Sequence, residues 1–210
     1  EMSLQHLLIG TLTQYRIACA FWLLFLVGAA TIPFTTWLNL WLTELALPVS
    51  LGGYSWTVIG VTGMVSGFVV GKLADHKGHH RAMVLITGLF AIGIIGFRLN
   101  PERFIWLAAF GYGVMYFPIW GVLAGWIGNH YSAQTTTKIN SLGMVAFGLG
   151  GALGNLMAGS IQQTTGSLDG LYNLITITSL MLLAITLWMA IKERRIPANG
   201  LQQTPDTAGV

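Results

Sequence analysis

The residues most able to act chemically lie in one short segment, Gly71–Arg81. Its carboxylate, Asp75, can accept hydrogen bonds from the N-terminus of a neighbouring helix and favours the positive end of that helix dipole. Arg81 can pair with a carboxylate, while Gly71 and Gly78 permit a close helix approach and a tight reversal. The pattern indicates an electrostatic contact between helices.

Three histidines, His76, His79 and His80, lie in the same segment. Imidazole groups can bind metals or sense pH. Since no cysteine and no acidic residue except Asp75 accompanies them, the pattern favours variable basic positions of an exposed loop, and we expect no metal and no cofactor. The sequence contains no phosphate-binding loop, zinc-protease motif or Ser–His–Asp set, so no enzymatic activity is expected.

A second group of polar residues lies inside apolar stretches, where polar side chains tend to face a cavity or another helix. Thr35 and Asn39 are four residues apart and therefore share a helix face. Pro33, just before them, frees a backbone carbonyl and favours a kink. These residues either line a solute path or bond to neighbouring helices.

Tyr112 and Tyr116 repeat the four-residue spacing in another apolar stretch, and Asn140 lies near the start of a third. Aromatic rings can stack on a ligand while their hydroxyls orient it. Packing or interfacial anchoring remains the alternative for the tyrosines. We interpret Thr35, Asn39, Tyr112, Tyr116 and Asn140 as candidate pathway residues.

The composition indicates that lipid surrounds most of the chain. Hydrophobic residues make up 54% of the 210 residues and charged residues only 8%, against roughly 25% charged in a soluble domain. The net charge of +3 does not indicate nucleic-acid binding, because the basic residues stand singly at helix ends. The bilayer is the expected partner.

A helix needs about 20 mainly apolar residues to cross the hydrocarbon. Turn or charge signals separate six such stretches. Their predicted bounds are 17–43, 55–73, 83–99, 104–127, 139–161 and 171–191.

The distribution of Lys and Arg predicts the orientation, because these residues are retained on the cytoplasmic side. With the N-terminus inside, the outside loops hold only Arg98 and Arg103. The inside segments hold Arg16, Lys72, Lys77, Arg81, Lys138, Lys192, Arg194 and Arg195. Both termini are therefore predicted to be cytoplasmic, and a bacterial inner membrane is the expected location.

The six stretches fall into two groups of three. Pro33 precedes Trp37 in the first stretch, and Pro118 precedes Trp120 in the fourth. An odd number of helices per copy inverts the second copy, and inverted repeats are a recurring plan of secondary transporters. The predicted fold is therefore an all-α membrane protein of two inverted three-helix repeats.

The segment Gly71–Arg81 resembles the loop signature of the major facilitator superfamily, Gly-x-Leu-Ala-Asp-Arg-x-Gly-Arg-Arg-x, which joins the second and third helices of a six-helix half. The matching positions are Gly71, Leu73, Ala74, Asp75 and Gly78, and Arg81 falls just after the histidines. The resemblance implies that Gly71, Leu73, Asp75, Gly78 and Arg81 form a latch that is made in one conformation and broken in the other.

Departures from the family pattern favour the C-terminal half of a twelve-helix transporter. The N-terminal half of the family usually has an Arg in its fourth helix and a Gly-Pro pair in its fifth, whereas 104–127 has no Arg and Gly143–Gly151 has no proline. Residues 1–15 would then be the end of a cytoplasmic linker, and 192–210 a disordered cytoplasmic tail. The N-terminal six-helix half would be the missing partner.

The resemblance implies a secondary active transporter that moves a small solute by alternating access. No Asp, Glu, Lys or Arg lies deep within the six stretches, which favours a neutral or amphipathic solute. An integral membrane enzyme and a structural or assembly subunit are the alternatives. The substrate, the direction of transport and the coupling ion do not follow from the sequence.

Overall fold

The computed structural model describes residues 3–195, which form eight helices joined by short connections. Their bounds are α1 Leu4–Thr13, α2 Tyr15–Glu44, α3 Ser50–Lys77, α4 His79–Leu99, α5 Pro101–Tyr116, α6 Pro118–Gly128, α7 Ala133–Thr165 and α8 Asp169–Arg195.

Six membrane-spanning units, with α5 and α6 forming one of them, are long and apolar enough to cross a bilayer. Their mean hydropathy runs from 1.4 to 2.3, which confirms the six predicted membrane helices. We call the end of the bundle where α2, α4 and α7 begin the motif end, and the opposite end the far end.

Part of the segment predicted to be the end of a cytoplasmic linker is helical. Helix α1 occupies Leu4–Thr13 and packs against α2. Leu7 is 1% exposed, and the indole of Trp22 donates to the Thr11 carbonyl at 3.3 Å. Burial of Leu7 and the hydrogen bond from Trp22 hold α1 on the bundle.

The segment predicted as a loop between the second and third spans is almost entirely helical. Helix α3 continues to Lys77, and α4 begins at His79. Gly78 alone makes the turn, with a φ of +96° that residues with a side chain rarely adopt. The charged residues of the motif therefore extend the two helices beyond their apolar parts.

Helix α8 likewise extends beyond its predicted end at 191. Lys192 lies 3.7 Å from the centre of the Tyr15 ring, and Glu193 lies 3.6 Å from the Arg16 guanidinium. These contacts order a turn that the sequence placed in a polar tail. Residues 196–210 of that predicted tail lie outside the described part of the chain.

Helix packing follows the two inverted repeats. Helix α2, which opens the first repeat, packs against α7 and α8 of the second. Helices α5 and α6, which open the second repeat, pack against α3 and α4 of the first, and α4 packs against α8. This reciprocal arrangement is what two inverted three-helix units produce, as predicted.

Helices α2 and α7 approach most closely along a seam of glycines. A Cβ atom on Gly28 would collide with the Phe147 carbonyl, and one on Gly150 would collide with the Phe25 carbonyl. Such small residues let membrane helices bring their backbones together. The seam fixes the register between the first helix of one repeat and the second helix of the other.

The two prolines that mark corresponding helices of the repeats act differently. Pro33 lies inside α2, which remains one helix. Pro118 begins α6, and the single residue Phe117 separates it from α5. Each proline lacks the N–H group that would bond to the carbonyl four residues earlier.

Candidate functional site

Thr35 and Asn39 lie on the part of α2 between Pro33 and the far end. Thr35 is half-buried, and its hydroxyl donates to the carbonyls of Thr31 and Ile32 at 3.2 Å each. Asn39 is exposed, and its amide rests on the backbone of Gly52 in α3. Within the described residues the Asn39 amide makes no hydrogen bond.

Tyr112 and Tyr116 of α5 are in contact but differ in exposure. Their rings stack with centres 5.3 Å apart. Tyr112 is 4% exposed, and its hydroxyl donates to the Thr31 carbonyl of α2 at 3.3 Å. Tyr116 is half-buried. The structure therefore places Tyr112 in the packed interior and Tyr116 at the surface of the bundle.

Tyr116 belongs to a group of aromatic side chains that the sequence analysis did not single out together. We call Tyr116, Phe117, Trp120 and Phe147 the aromatic patch. Ring centres are 5.2 Å apart for Tyr116–Phe117 and for Trp120–Phe147, and 6.1 Å apart for Tyr116–Phe147. Phe117 is 46% exposed.

The patch joins the α5–α6 break to α7. The Tyr116–Trp120 spacing of four residues could have indicated part of it. Phe147 could not be found in this way, since it comes from a glycine-rich helix distant in sequence. An apolar surface with a phenol hydroxyl at its edge can bind the apolar part of an amphipathic solute.

Asn140 lies far from Asn39. Gly143, three residues further along α7, packs against Leu24 of α2. Asn39 is fifteen residues beyond Leu24, roughly 22 Å along the helix axis at about 1.5 Å per residue. Asn39 and Asn140 therefore lie towards opposite ends of the bundle, and one small solute cannot contact both at once.

The Gly71–Arg81 segment adjoins a hollow of about 280 Å³ between α3 and the start of α6, which we call the α3 hollow. Its lining residues are Gly67, Gly71, Ala74, Asp75, His79, Phe117, Pro118, Gly121 and Val122. A Cβ atom on Gly67 or on Gly71 would meet nothing within 4 Å. The α3 surface beside the motif is therefore bare.

Neither charged residue of the predicted latch has an ionic partner in residues 3–195. Asp75 and Arg81 are both exposed, and neither forms an ion pair there. Leu73 is half-buried, and Gly78 makes the turn into α4. Of the five residues predicted to make the latch, Gly71 and Asp75 line the α3 hollow, whereas Leu73, Gly78 and Arg81 do not.

The ion pairs of the described residues lie at the two ends of the bundle. At the far end Arg98 contacts Asp169 at 2.8 Å, and Glu44 accepts from the backbone N–H of Leu168 at 2.9 Å. At the motif end Glu193 lies 3.6 Å from Arg16. These contacts tie the start and end of α8 to α2 and α4.

Residues 3–195 contain no group of three His, Cys, Asp or Glu side chains placed to hold a metal ion.

A family model described as Major Facilitator Superfamily matches residues 3–155, which is more than half of the chain. The match includes α1 to α6, the Gly71–Arg81 segment and all five candidate pathway residues. No curated protein matches the chain.

Proposed function

The chain belongs to the major facilitator superfamily, and we propose that it forms one six-helix half of a secondary carrier that moves a small solute by alternating access. The family is one of membrane transporters, and the six apolar helices make the chain a multi-pass integral membrane protein. The lipid bilayer is accordingly its environment. Mechanism, solute and half-carrier organisation are the parts that we propose.

The observation that supports a half-carrier is the bare surface beside the α3 hollow. In α3, Gly67 and Gly71 present open space where small residues would allow another helix to approach. Asp75 stands at the rim of this surface with no ion-pair partner in the described residues. A carboxylate next to a hollow can receive the N-terminus of an incoming helix, so a second six-helix half fits this side of the molecule.

In this proposal the aromatic patch and Asn39 lie on the solute path. The patch contributes apolar contact area, while Asn39 and the Tyr116 hydroxyl can form hydrogen bonds. Charged side chains are confined to the helix ends in the described part of α2, α5 and α7. This half therefore suits a neutral or amphipathic solute, and a titratable coupling group would belong to the other half. The N-terminal six-helix half remains the proposed partner, with both termini cytoplasmic in a bacterial inner membrane.

The latch is tested with Asp75→Asn, which keeps the shape of the side chain and removes its charge. Ligands are first found by thermal stabilisation of the complete protein against a panel of small molecules, and uptake of a hit is then measured in proteoliposomes. We expect transport at least tenfold slower with normal membrane insertion, because the neutral amide loses its attraction to a helix N-terminus.

The matched control for this experiment is Glu102→Gln. Glu102 is an exposed acid at the start of α5, at the other end of the bundle. The substitution Glu102→Gln should leave the transport rate unchanged. A wild-type rate in Asp75→Asn would remove the latch from the mechanism.

The half-carrier organisation is tested by cross-linking from position 67. Because a Cβ atom at Gly67 meets nothing within 4 Å, Gly67→Cys should fold normally in a Cys19→Ser background. We expect a maleimide–diazirine cross-linker, which attaches to the thiol and inserts on illumination into any neighbouring residue, to join it to a different six-helix segment, identified by mass spectrometry. Cysteine at Leu180, an exposed position of α8, is the control and should give no such product. A position 67 self-dimer that transports solute would show that two copies of this chain make the carrier.

A further inference from the structure

Two buried tyrosine hydroxyls bond to the backbone of α2 on either side of Pro33. Tyr112 of α5 donates to the Thr31 carbonyl at 3.3 Å, and Tyr172 of α8 donates to the Phe34 carbonyl at 3.0 Å. Tyr112 is 4% exposed and Tyr172 is 1% exposed. The two donors come from different helices and reach carbonyls only three residues apart.

Pro33 explains why these bonds matter. Without an N–H group at Pro33, the Ala29 carbonyl loses its usual helical partner, and the proline ring crowds the preceding turn. Side chains and neighbouring helices commonly stabilise the backbone at such points in membrane helices. The close approach of Gly154 in α7 to Ala29 and to the Pro33 ring supports the same turn from a third side.

The hydrogen bond from Tyr172 is part of a larger contact with the part of α2 that follows Pro33. Its ring stacks on Trp41 with centres 3.9 Å apart and an angle of 14° between the planes. Phe34 packs between the two tyrosines, with its ring centre 5.8 Å from each. Side chains of α5 and α8 therefore contact α2 both before and after Pro33.

We propose that Tyr112 and Tyr172 are positioning residues, whose hydroxyls hold α2 on both sides of Pro33 and so orient the segment 34–44 with Thr35 and Asn39. The importance of this orientation for a solute rests on the proposed function. The orientation itself does not, since it can be measured without any solute. An experiment can therefore disprove the orientation of α2 by the tyrosines without disproving the proposed transport function, and the reverse also holds.

The test measures how fast a cysteine at position 39 reacts with a maleimide in the complete protein, held in lipid nanodiscs in a Cys19→Ser background. Tyr172→Phe and Tyr112→Phe each remove one hydroxyl and keep the ring. We expect Tyr172→Phe to change the reaction rate of Asn39→Cys at least threefold, and the double variant to change it further. Tyr54→Phe is the matched control, because Tyr54 is 59% exposed, and it should leave the rate unchanged.

Two further measurements separate positioning from general loosening. The reaction rate of a cysteine at Thr164, exposed near the end of α7, should stay within twofold in every tyrosine variant. In a Pro33→Ala background the helix regains its own hydrogen bond. There, Tyr172→Phe should change the reaction rate at position 39 by less than half as much as it does with Pro33 present. If the Tyr172→Phe protein fails to insert into the membrane, the Tyr112→Phe variant alone tests the proposal. The same threefold change in the reaction rate at position 39 is then expected. An unchanged rate at position 39, an equal change at position 164, or a full effect in the alanine background would overturn the proposal.

Discussion

Trp37 and Asn155 show how single polar side chains in this bundle are satisfied across helices. The Trp37 indole of α2 donates to the side-chain oxygen of Asn155 in α7 at 3.1 Å. These residues are 118 positions apart, so no local sequence pattern pairs them. In lipid an unpaired indole or amide is costly, so the bond adds a specific tie next to the glycine seam.

Removing this bond should weaken the bundle modestly. Trp37→Phe keeps an aromatic ring and leaves the Asn155 oxygen without its donor. We expect a loss of about 0.6 kcal/mol in unfolding free energy, and at most about 1.7 kcal/mol, since these are the average and the maximum for hydrogen bonds between membrane helices. Titration with a denaturing detergent measures this loss. Trp56→Phe is the control, since Trp56 is 52% exposed, and should cost less. Equal losses in both variants would mean that ring size, and not the bond, matters.

Asp75 and Tyr112 differ in how far their sequence patterns predict what their side chains contact. Asp75 keeps its predicted latch role as a proposal, because it has no ion-pair partner within residues 3–195. The four-residue spacing of Tyr112 and Tyr116 predicts a shared helix face. In the structure the Tyr112 hydroxyl donates a hydrogen bond to the Thr31 carbonyl of α2. Spacing identifies residues that share a helix face, but it does not show whether that face meets a solute or another helix.

At the scale of elements, the glycine-rich helix α7 has two kinds of glycine. Gly150 lies where a Cβ atom would collide with α2, whereas a Cβ atom on Gly148 would meet nothing within 4 Å. Both are glycines in the interior of one helix, so alanine should improve helix propensity equally at each. Only packing distinguishes them.

Gly150→Ala should therefore destabilise the bundle while Gly148→Ala should not. We expect a cost of about 1–3 kcal/mol for Gly150→Ala, typical of overpacking, and a neutral or slightly favourable effect for Gly148→Ala. Thermal unfolding in detergent, followed by the fluorescence of a thiol-reactive dye at Cys19, measures both. This dye reports unfolding because Cys19 is buried in the folded protein. A neutral Gly150→Ala would contradict the close α2–α7 seam.

For the whole molecule, charge distribution predicts how the bundle sits in the bilayer. His79 begins α4 at the motif end, and Asp169 begins α8 at the far end. Lys and Arg are concentrated at the motif end, which should remain cytoplasmic.

This orientation is tested with single cysteines at positions 79 and 169 in a Cys19→Ser background. A membrane-impermeant maleimide added to intact cells should label position 169 and spare position 79, and lysis should expose both. Because Asp169 pairs with Arg98 at an exposed site, its loss should cost little stability. Labelling of both positions from outside would contradict the six-span topology.

The sequence by itself determined the class of the molecule and the number of its spans. Apolar stretches of about 20 residues have one stable state in lipid, a helix whose backbone bonds are satisfied internally. The matched positions of Gly71–Arg81 likewise led to the family, because that segment is defined by consecutive residues. Exact ends were less predictable: hydropathy falls before helices stop, and contacts such as Lys192 on Tyr15 extend them.

Only the tertiary structure decided which residues of the candidate site meet one another. The aromatic patch unites residues around Pro118 with Phe147, and tyrosines from α5 and α8 bond to the α2 backbone on either side of Pro33. Asn140 is separated from Asn39 for the same reason, since the register of α2 on α7 is set by which glycines interlock. Helix formation depends on neighbours along the chain, whereas these contacts depend on the rotation and register of helices distant in sequence.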